Sequence, residues 1–311
     1  MRSVRAIAFS SSANLGAGYD ILSMAHMAFS DTVYAEIVSR GERKVIIESE
    51  SALPVDPDRN AAGAPAKAVL SEFGLDYVIK IRVIKGIPFG LGLGSSGASA
   101  VASVAALNKL LDLNLSLEDI VRFAVLGEKA VSGSPHPDNV AASTFGGVVA
   151  VTSHNPIKVS KIPVNLDFRV ALVIPRVNTG EGKTKKAREL VPQMIEISKM
   201  VENSRYLSSF ILGLTQGNRE LVKYGLNDSI VEKSREPMYP HYPKIREIAL
   251  KHDAVGVCVS GAGPTTLLLY DNKTDLESIK REVSHTCEQF GFICQLVSTE
   301  IGGGVRVEGL N

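Results

Sequence analysis

The chain has 311 residues, 45% of them hydrophobic and 22% charged, which suits two globular domains of ordinary size. Lys and Arg number 34 against 33 Asp and Glu, and this balance argues against a nucleic-acid-binding protein with a large basic field. The cysteines at 258, 287 and 294 form no CxxC motif and no spacing typical of a disulfide, which predicts free thiols in a reducing compartment. No signal peptide or membrane span is predicted, so we expect a cytoplasmic protein.

The first half of the chain mixes strand and helix patterns. Strands are predicted at 4–9, 32–39, 44–49, 77–84 and 145–153, and helices at 61–73, 96–111 and 117–131. The segment 77–84, YVIKIRVI, alternates apolar and charged residues as a half-buried strand does. Before the third helix, Ser116 and Asp119 have the spacing of a capping box.

The second half predicts a different arrangement. A strand at 169–175 is followed by a helical region to about residue 250, with breaks near Gly217, Asn227 and the segment PMYPHYP. Later elements are predicted as strands at 254–260 and 264–270, a helix at 275–290 and a strand at 293–299. With the extra helices set aside, the order is β-α-β-β-α-β, the split βαβ arrangement. We therefore divide the chain into domains 1–164 and 165–311.

The stretch GLGLGSSGASAVASVAALNKLL, from Gly90 to Leu111, places four glycines and two serines at the start of an alanine-rich helix. Unpaired N–H groups and the positive end of the helix dipole point the same way there, and the missing side chains let an anion approach. The pattern favours a phosphate-binding loop. A glycine loop packed tightly on its neighbours, with the serines as caps, is the alternative.

Other nucleotide motifs fit this chain poorly. GLGSSG (92–97) matches the dinucleotide pattern GxGxxG, but the segment KGIPFGL separates it from the preceding strand. VNTGEGKT (177–184) ends like a Walker A motif but has Val177 where glycine is required. An NAD-dependent oxidoreductase and a non-catalytic nucleotide sensor therefore stay open only as alternatives.

A second glycine turn, SGAGPT (260–265), lies between two predicted strands. Gly261 and Gly263 are expected where a side chain would clash or where φ is positive. With one glycine loop in each half of the chain, we expect a cleft between the two domains.

Three segments together resemble the motifs of the GHMP small-molecule kinases: SSANLGAGYD (11–20), PFGLGLGSSGASA (88–100) and SGAGPT. Within that superfamily, the first segment, GEKAVSGSPHPDNVAAS (127–143) and TKKAR (184–188) resemble the homoserine kinases. The resemblance covers nearly the whole chain. It implies an α+β fold with an N-terminal domain like the second domain of ribosomal protein S5 and a ferredoxin-like C-terminal domain.

The resemblance also implies the reaction and its donor site. The reaction would transfer the γ-phosphoryl group of ATP to the side-chain hydroxyl of L-homoserine, giving O-phospho-L-homoserine on the route to threonine. Ser96 and Glu128 would hold Mg²⁺, since this ion prefers oxygen ligands. Thr184 would approach the γ-phosphate. The implied ATP-binding residues are Pro88, Phe89, Gly90, Leu91, Gly92, Leu93, Gly94, Ser95, Ser96, Gly97, Ala98, Gly261 and Gly263.

The implied homoserine-binding residues are Asn14, Asp20, His136, Asn139, Arg188 and Arg235. Taken alone, Asn14 and Asp20 are typical of Asx turns near glycines, and His136 of a helix cap. Arg235 stays open because its segment EKSREPMYPHYP (232–243) matches the family only loosely. We expect direct in-line attack, with Asp20 and Asn139 orienting the hydroxyl and the magnesium site carrying the charge, rather than an aspartate base.

Two further expectations come from the resemblance. A kinase for another small alcohol such as mevalonate, or a related decarboxylase, is the alternative within the superfamily. The partners are expected to be the small-molecule substrate and ATP, with no nucleic acid and no membrane, and the assembly a homodimer.

Overall fold

The computed structural model describes residues 3–51, 53–180 and 182–310. Within these ranges the strands form two separate sheets. The strands are β1 (Ser3–Ala13), β2 (Leu22–Arg40), β3 (Lys44–Ser49), β4 (Tyr77–Ile84), β5 (Val148–His154), β6 (Ile157–Ile162), β7 (Arg169–Pro175), β8 (Gly256–Val259), β9 (Thr266–Tyr270), β10 (Cys294–Thr299) and β11 (Arg306–Leu310).

The helices of the described residues separate and cover these strands. They are α1 (Gly63–Glu72), α2 (Ser95–Leu110), α3 (Leu117–Ser132), α4 (Pro137–Phe145), α5 (Lys183–Glu189), α6 (Ile197–Gln216), α7 (Arg219–Gly225), α8 (Val231–Arg235), α9 (Tyr242–Lys251) and α10 (Leu276–Gln289). Short 3₁₀ helices occupy Pro57–Arg59 and Glu236–Met238. None of the helices in the described ranges is both long and apolar enough to cross a bilayer.

The first sheet has the strand order β11-β1-β2-β4-β3, with the hairpin β5-β6 joined to the beginning of β2. β3 and β4 are parallel, and the other neighbours are antiparallel. Helix α2 lies against β1 and β2. Its residues 97–107 are all buried and mostly Ala, Ser or Val, and these small side chains let the helix approach the sheet closely. The predicted capping box at the start of α3 is confirmed, since Ser116 and Asp119 bond reciprocally.

The second sheet is wholly antiparallel, in the order β10-β7-β9-β8. Helices α9 and α10 contact its strands and pack against each other. Among β7 to β10, the sequence order with these two helices is β-α-β-β-α-β, so the predicted ferredoxin-like arrangement is confirmed. The inserted helices α5 to α8 occupy the long helical region between β7 and α9.

Several elements were absent from the sequence-based prediction. Strand β11 pairs with β1, so the end of the chain returns to the first sheet, and the division at 164/165 stays a prediction. Strands β1 and β2 are much longer than expected, and α4 and β6 were not predicted. The end of β1 shows why the strands extend beyond their predicted bounds. The polar Ser10 and Ser12 are buried there because their hydroxyls bond the ring nitrogens of His26, at 2.9 and 3.1 Å.

The prediction of free thiols was wrong for two of the three cysteines. Cys287 and Cys294 form a disulfide, and the buried Cys258 is free. The seven-residue separation spans the last turn of α10 and the start of β10, which folds back beside the helix. This reversal brings the two Cα atoms to 5.9 Å, a separation that spacing along the sequence did not indicate.

Candidate active site

A cavity of about 980 Å³ is lined by residues from both halves of the chain. One wall is formed by residues 88–90 and 92–96 of the glycine-rich segment, and another by residues 261 and 262 of the second glycine turn, as the two glycine loops predicted. Residues 177–180 and 182–185, the beginning of α4 and residues of other segments, among them Lys85 and Glu128, also line it. We call the part formed by 88–96 the donor end, and the part around Asp20 and Arg188 the acceptor end.

The donor end depends on glycine at two positions. Gly92 and Gly94 have φ of +80° and +69°, in the left-handed region that favours glycine. A Cβ on Gly92 would lie 2.2 Å from the carbonyl oxygen of Ser260, and one on Gly94 would lie 2.3 Å from Ser11 Oγ. The loop therefore brings bare backbone to the N-terminus of α2, where free N–H groups and the helix dipole favour an anion.

Ser96 and Glu128 meet at this end of the cavity. Ser96 Oγ donates a hydrogen bond of 2.5 Å to Glu128 Oε1. The Glu128 side chain is almost wholly buried, and burial raises its pKa. A hydroxyl and a buried carboxylate at the donor end of the cavity are an oxygen donor set that suits Mg²⁺, which takes one or two carboxylates and completes its shell with phosphate and water.

A buried ion pair beneath α2 was missed from the sequence. Lys85 Nζ bonds the carboxylate of Asp31 and donates to Ser95 O at 2.9 Å and Ser99 Oγ at 2.8 Å. Asp31 also accepts from the backbone N–H of Gly86 and of Ile87. These bonds fix the start of α2 to β2 and β4. The sequence feature that could have indicated this ion pair is Asp31, a charged residue at a strand position that faces inward.

Three side chains from distant parts of the chain meet at the acceptor end. Arg188 Nη2 donates to both carboxylate oxygens of Asp20 at 2.9 Å and approaches His136 Nδ1 at 2.6 Å. Burial and then the Arg188 charge lower the pKa of His136, so its ring is neutral at pH 7. Because Nδ1 faces a donor, the ring proton belongs on Nε2. That nitrogen is buried and has no hydrogen-bond partner among the described residues.

Asn14 and Asp20 hold the loop between β1 and β2. Both have positive φ, +76° and +57°. Asn14 Oδ1 accepts from the Asp20 N–H at 3.2 Å, and Asn14 Nδ2 donates to Gly261 O at 2.9 Å. This bond spans six residues, so it differs from the Asx turn, which spans two, that these residues alone predict. Both side chains line the cavity.

Asn139 and Asp138 lie at the beginning of α4, beside the cavity. Asn139 Oδ1 accepts from Ser11 Oγ at 2.9 Å, which fixes the amide. The Asp138 side chain accepts from the Asn139 N–H at 2.7 Å. Burial and then the nearby Asp20 raise the pKa of Asp138 to about 7. The sequence-based prediction did not include this carboxyl group in the site. His136 occupies the N-cap position of α4, but its side chain does not cap the helix.

Two further cations reach the cavity from the second half of the chain. Arg235 is buried, donates from Nε to Ala187 O at 2.7 Å and lies over the ring of Tyr19 at 5.0 Å. Lys183, which the sequence-based prediction left out, donates from Nζ to Gly263 O. The sequence feature that could have indicated Lys183 is the segment GEGKT (180–184). It was considered only as an incomplete Walker A motif, so its lysine was not predicted as a site residue.

The remaining predicted residues divide into two groups. The cavity is lined by Thr184 and by most of the implied ATP-binding residues, Pro88, Phe89, Gly90, Gly92, Leu93, Gly94, Ser95, Ser96 and Gly261. The implied residues that lie outside its lining are Leu91, Gly97, Ala98 and Gly263. Ala98 is buried in the core, so its side chain faces away from the cavity, and Gly263 contributes a carbonyl that Lys183 bonds.

Comparison with known families agrees with this geometry. The family described as GHMP kinases N terminal domain matches residues 60–147, and GHMP kinases C terminal matches residues 210–289. The fold and the site thus define a GHMP kinase, a small-molecule kinase that uses ATP.

Individual relatives narrow the assignment. Homoserine kinase from Saccharolobus islandicus is 54% identical over 311 residues, which is 100% of both chains. The crystal structure of homoserine kinase from Cytophaga hutchinsonii superimposes with a TM-score of 0.89 at 29% identity, covering 98% of this chain and 97% of that one. The mevalonate kinase of Methanococcus jannaschii, at 16% identity and a TM-score of 0.70 over 96% of this chain and 98% of that one, shares the fold. The chain belongs to the homoserine kinases of the GHMP kinase family.

Proposed function

We propose that this protein transfers the γ-phosphoryl group of ATP to the side-chain hydroxyl of L-homoserine and releases O-phospho-L-homoserine and ADP. One observation carries the choice of acceptor: Asp20, Arg188 and the amide of Asn139 line the same cavity as the glycine loop. An anion, a cation and a neutral donor are what a zwitterionic amino acid with a hydroxyl requires.

The acceptor end assigns a partner to each group of homoserine. The carboxylate would bind Arg188, whose planar guanidinium suits a two-oxygen ligand, with Arg235 as a second cation. The ammonium would bind Asp20 and the amide oxygen of Asn14. The amide of Asn139, held by Ser11, would orient the hydroxyl toward the donor.

The donor end would hold the triphosphate of ATP on the backbone N–H groups at the start of α2. Ser96 and Glu128 would hold Mg²⁺, and bound there the ion supplies positive charge to the phosphates. Lys85 and Asp31 keep the loop in place from below. Positioning and charge neutralisation, rather than covalent chemistry, are what phosphoryl transfer requires of a protein.

The hydroxyl proton needs no dedicated aspartate base in this proposal. Asp20 is the nearest candidate, but both of its oxygens accept bonds from Arg188, so it orients the substrate. We expect Asp20→Asn to weaken homoserine binding while kcat keeps the shape of its pH profile. A loss of kcat by several powers of ten with intact binding and altered pH dependence would instead identify Asp20 as a base.

A coupled ADP-release assay with L-homoserine, mevalonate, galactose and shikimate tests the acceptor. We expect saturable turnover with homoserine and no more than background with the others. Turnover with mevalonate alone would contradict the proposal, and saturable NADH binding without ATP binding would favour an oxidoreductase. A role on the route to threonine and a homodimeric assembly are proposed from the family resemblance. A cytoplasmic location is proposed with them.

A further inference from the structure

Lys183 brings a positive charge to the junction of the two glycine loops. Its Nζ bonds the carbonyl oxygen of Gly263, and that oxygen lies 2.9 Å from the Cβ position of Gly92. The ammonium is therefore next to the backbone of the donor end. Lys183 and Gly92 both line the cavity.

In the part of the chain that the structure describes, this charge lacks a counterion. Among residues 3–51, 53–180 and 182–310, no carboxylate forms an ion pair with Lys183. By contrast, Asp20 neutralises Arg188 and Asp31 neutralises Lys85. The charged group that acts on Lys183 is Arg235, which has the same sign.

An ammonium has three N–H donors and is costly to bury unless it is paired. Among the described residues, the carbonyl oxygen of Gly263 accepts from Lys183 Nζ, and Lys183 lines the cavity. Burial, followed by the Arg235 charge, lowers the pKa of Lys183 to about 7. An anion that enters the cavity beside Gly92 would pair with the Lys183 ammonium and offset the cost of burying its charge.

We propose that Lys183 is a further substrate-contacting residue, whose ammonium binds a non-bridging oxygen of the β- or γ-phosphate of ATP. This inference rests on the proposed function for the presence of ATP at the donor end. It adds a cation to a phosphate site otherwise built from backbone N–H groups, a hydroxyl and a carboxylate.

A purely structural role for Lys183 makes a different prediction. If Lys183 only tethers the start of α5 to the turn at 260–265, its loss would weaken the binding of all adenine nucleotides equally, because the turn itself would shift. A phosphate contact would discriminate between nucleotides by the number of their phosphates.

Calorimetric titration without the acceptor separates the two roles. We expect Lys183→Met to weaken ADP and a non-hydrolysable ATP analogue by about 10- to 100-fold, the effect of losing a hydrogen bond to a charged group. AMP affinity should change less than twofold. Lys183→Arg should retain ADP affinity within about threefold. The matched control is Lys186→Met, an exposed position of α5 outside the cavity lining, which should bind like the unmodified protein.

Thermal unfolding of each variant checks that the fold is intact. The inference is wrong if Lys183→Met leaves ADP affinity unchanged, if it weakens AMP and ADP by the same factor, or if the unmodified protein does not bind ADP. If the unmodified protein binds ADP but does not turn over homoserine, the proposed acceptor is wrong. The titrations would then still test the contact between Lys183 and the phosphates by themselves.

Discussion

The two ends of the cavity are built on different principles. At the donor end, the ion pair of Lys85 and Asp31 has side-chain exposures of 5% and 0% and bonds the backbone around the glycine loop. At the acceptor end, the ion pair of Arg188 and Asp20 has exposures of 34% and 30% and faces the cavity. The first pair is part of the scaffold, and the second consists of the groups that would meet the substrate.

This difference affects how each end binds its ligand. The backbone N–H groups of the donor end are already aimed at an anion, so little reorganisation is needed. At the acceptor end, Asp20 and Arg188 neutralise each other, and homoserine has to exchange that pair for its own ammonium and carboxylate. A partly exposed pair is screened by water and easier to open than a buried one. We therefore expect mutations at the two ends to act on different kinetic constants.

The largest effect is expected from Glu128→Gln at the donor end. The substitution keeps the shape and removes the charge, so kcat should fall by about 10²- to 10³-fold, or about 3–4 kcal/mol of transition-state stabilisation. Thermal stability should not fall, because a buried carboxylate is destabilising when charged. Steady-state rates across a magnesium titration are the measurement.

The exposed Glu247→Gln is the control for Glu128→Gln, because the Glu247 side chain is 66% exposed. If the Glu128 variant retained its kcat and its magnesium dependence, the assignment of this carboxylate to the metal would be wrong.

Arg188→Met addresses the acceptor end. The substitution removes the ion-pair partner of Asp20 and the guanidinium that would bind the homoserine carboxylate. The KM for homoserine should therefore rise by about 10²-fold, consistent with losing one partner of a charged pair. Arg188→Lys should recover only part of this, since an ammonium cannot make the two-pronged contact. The KM for ATP should change less than twofold. An equal rise in both KM values would show that Arg188 supports the whole cavity rather than the acceptor.

The contrast between the ends also explains what the sequence could predict. The donor end is formed mainly by one continuous segment, in which glycines precede a helix of small residues. The bounds of its loop and helix were predicted within a residue or two. The ferredoxin-like order was predicted for the same reason, because alternation and helical periodicity are local. The acceptor end depends on residues 52 and 168 positions from Arg188, which only the family resemblance connected.

Long-range polar pairing accounts for the residues that were missed. Asp31 and Lys85 are 54 positions apart, and Lys183 and Gly263 are 80 apart. The pattern of one segment does not reveal its partner, because the two residues of each pair lie far apart in the sequence. The disulfide was missed because it depends on how α10 turns back to β10. Tertiary contacts, not local propensity, decide these features.

Gly92→Ala tests whether the donor end is rigid. With φ at +80° and a carbonyl oxygen 2.2 Å from the new Cβ, the variant should lose about 2–3 kcal/mol of unfolding free energy. Gly291→Ala is the matched control, because its φ is +83° but nothing lies within 4 Å of its Cβ. It should lose only about 1 kcal/mol. Equal losses in denaturant titrations would mean that the loop yields and the close approach at Gly92 is unimportant.

The smallest effect is a pH dependence that belongs to the donor end. Because burial lowers the pKa of Lys183 to about 7, the ammonium loses its proton in the free protein as the pH rises from 7 to 9. The ratio kcat/KM for ATP should then fall by up to about tenfold. The free energy of unfolding should instead increase as the pH rises. The unfolded chain keeps the Lys183 proton up to about pH 10.5 and the folded one does not, so this group's penalty on stability shrinks between pH 7 and 10.5.

Lys183→Arg isolates that titration, because a guanidinium stays charged throughout the range. Asp138, with a pKa of about 7, titrates in the same window, and its contribution is common to the two proteins. Dividing the pH profile of the unmodified protein by that of the variant should leave a single step falling above pH 7. A flat ratio would place the pH dependence at Asp138, hence at the acceptor end of the cavity rather than the donor end.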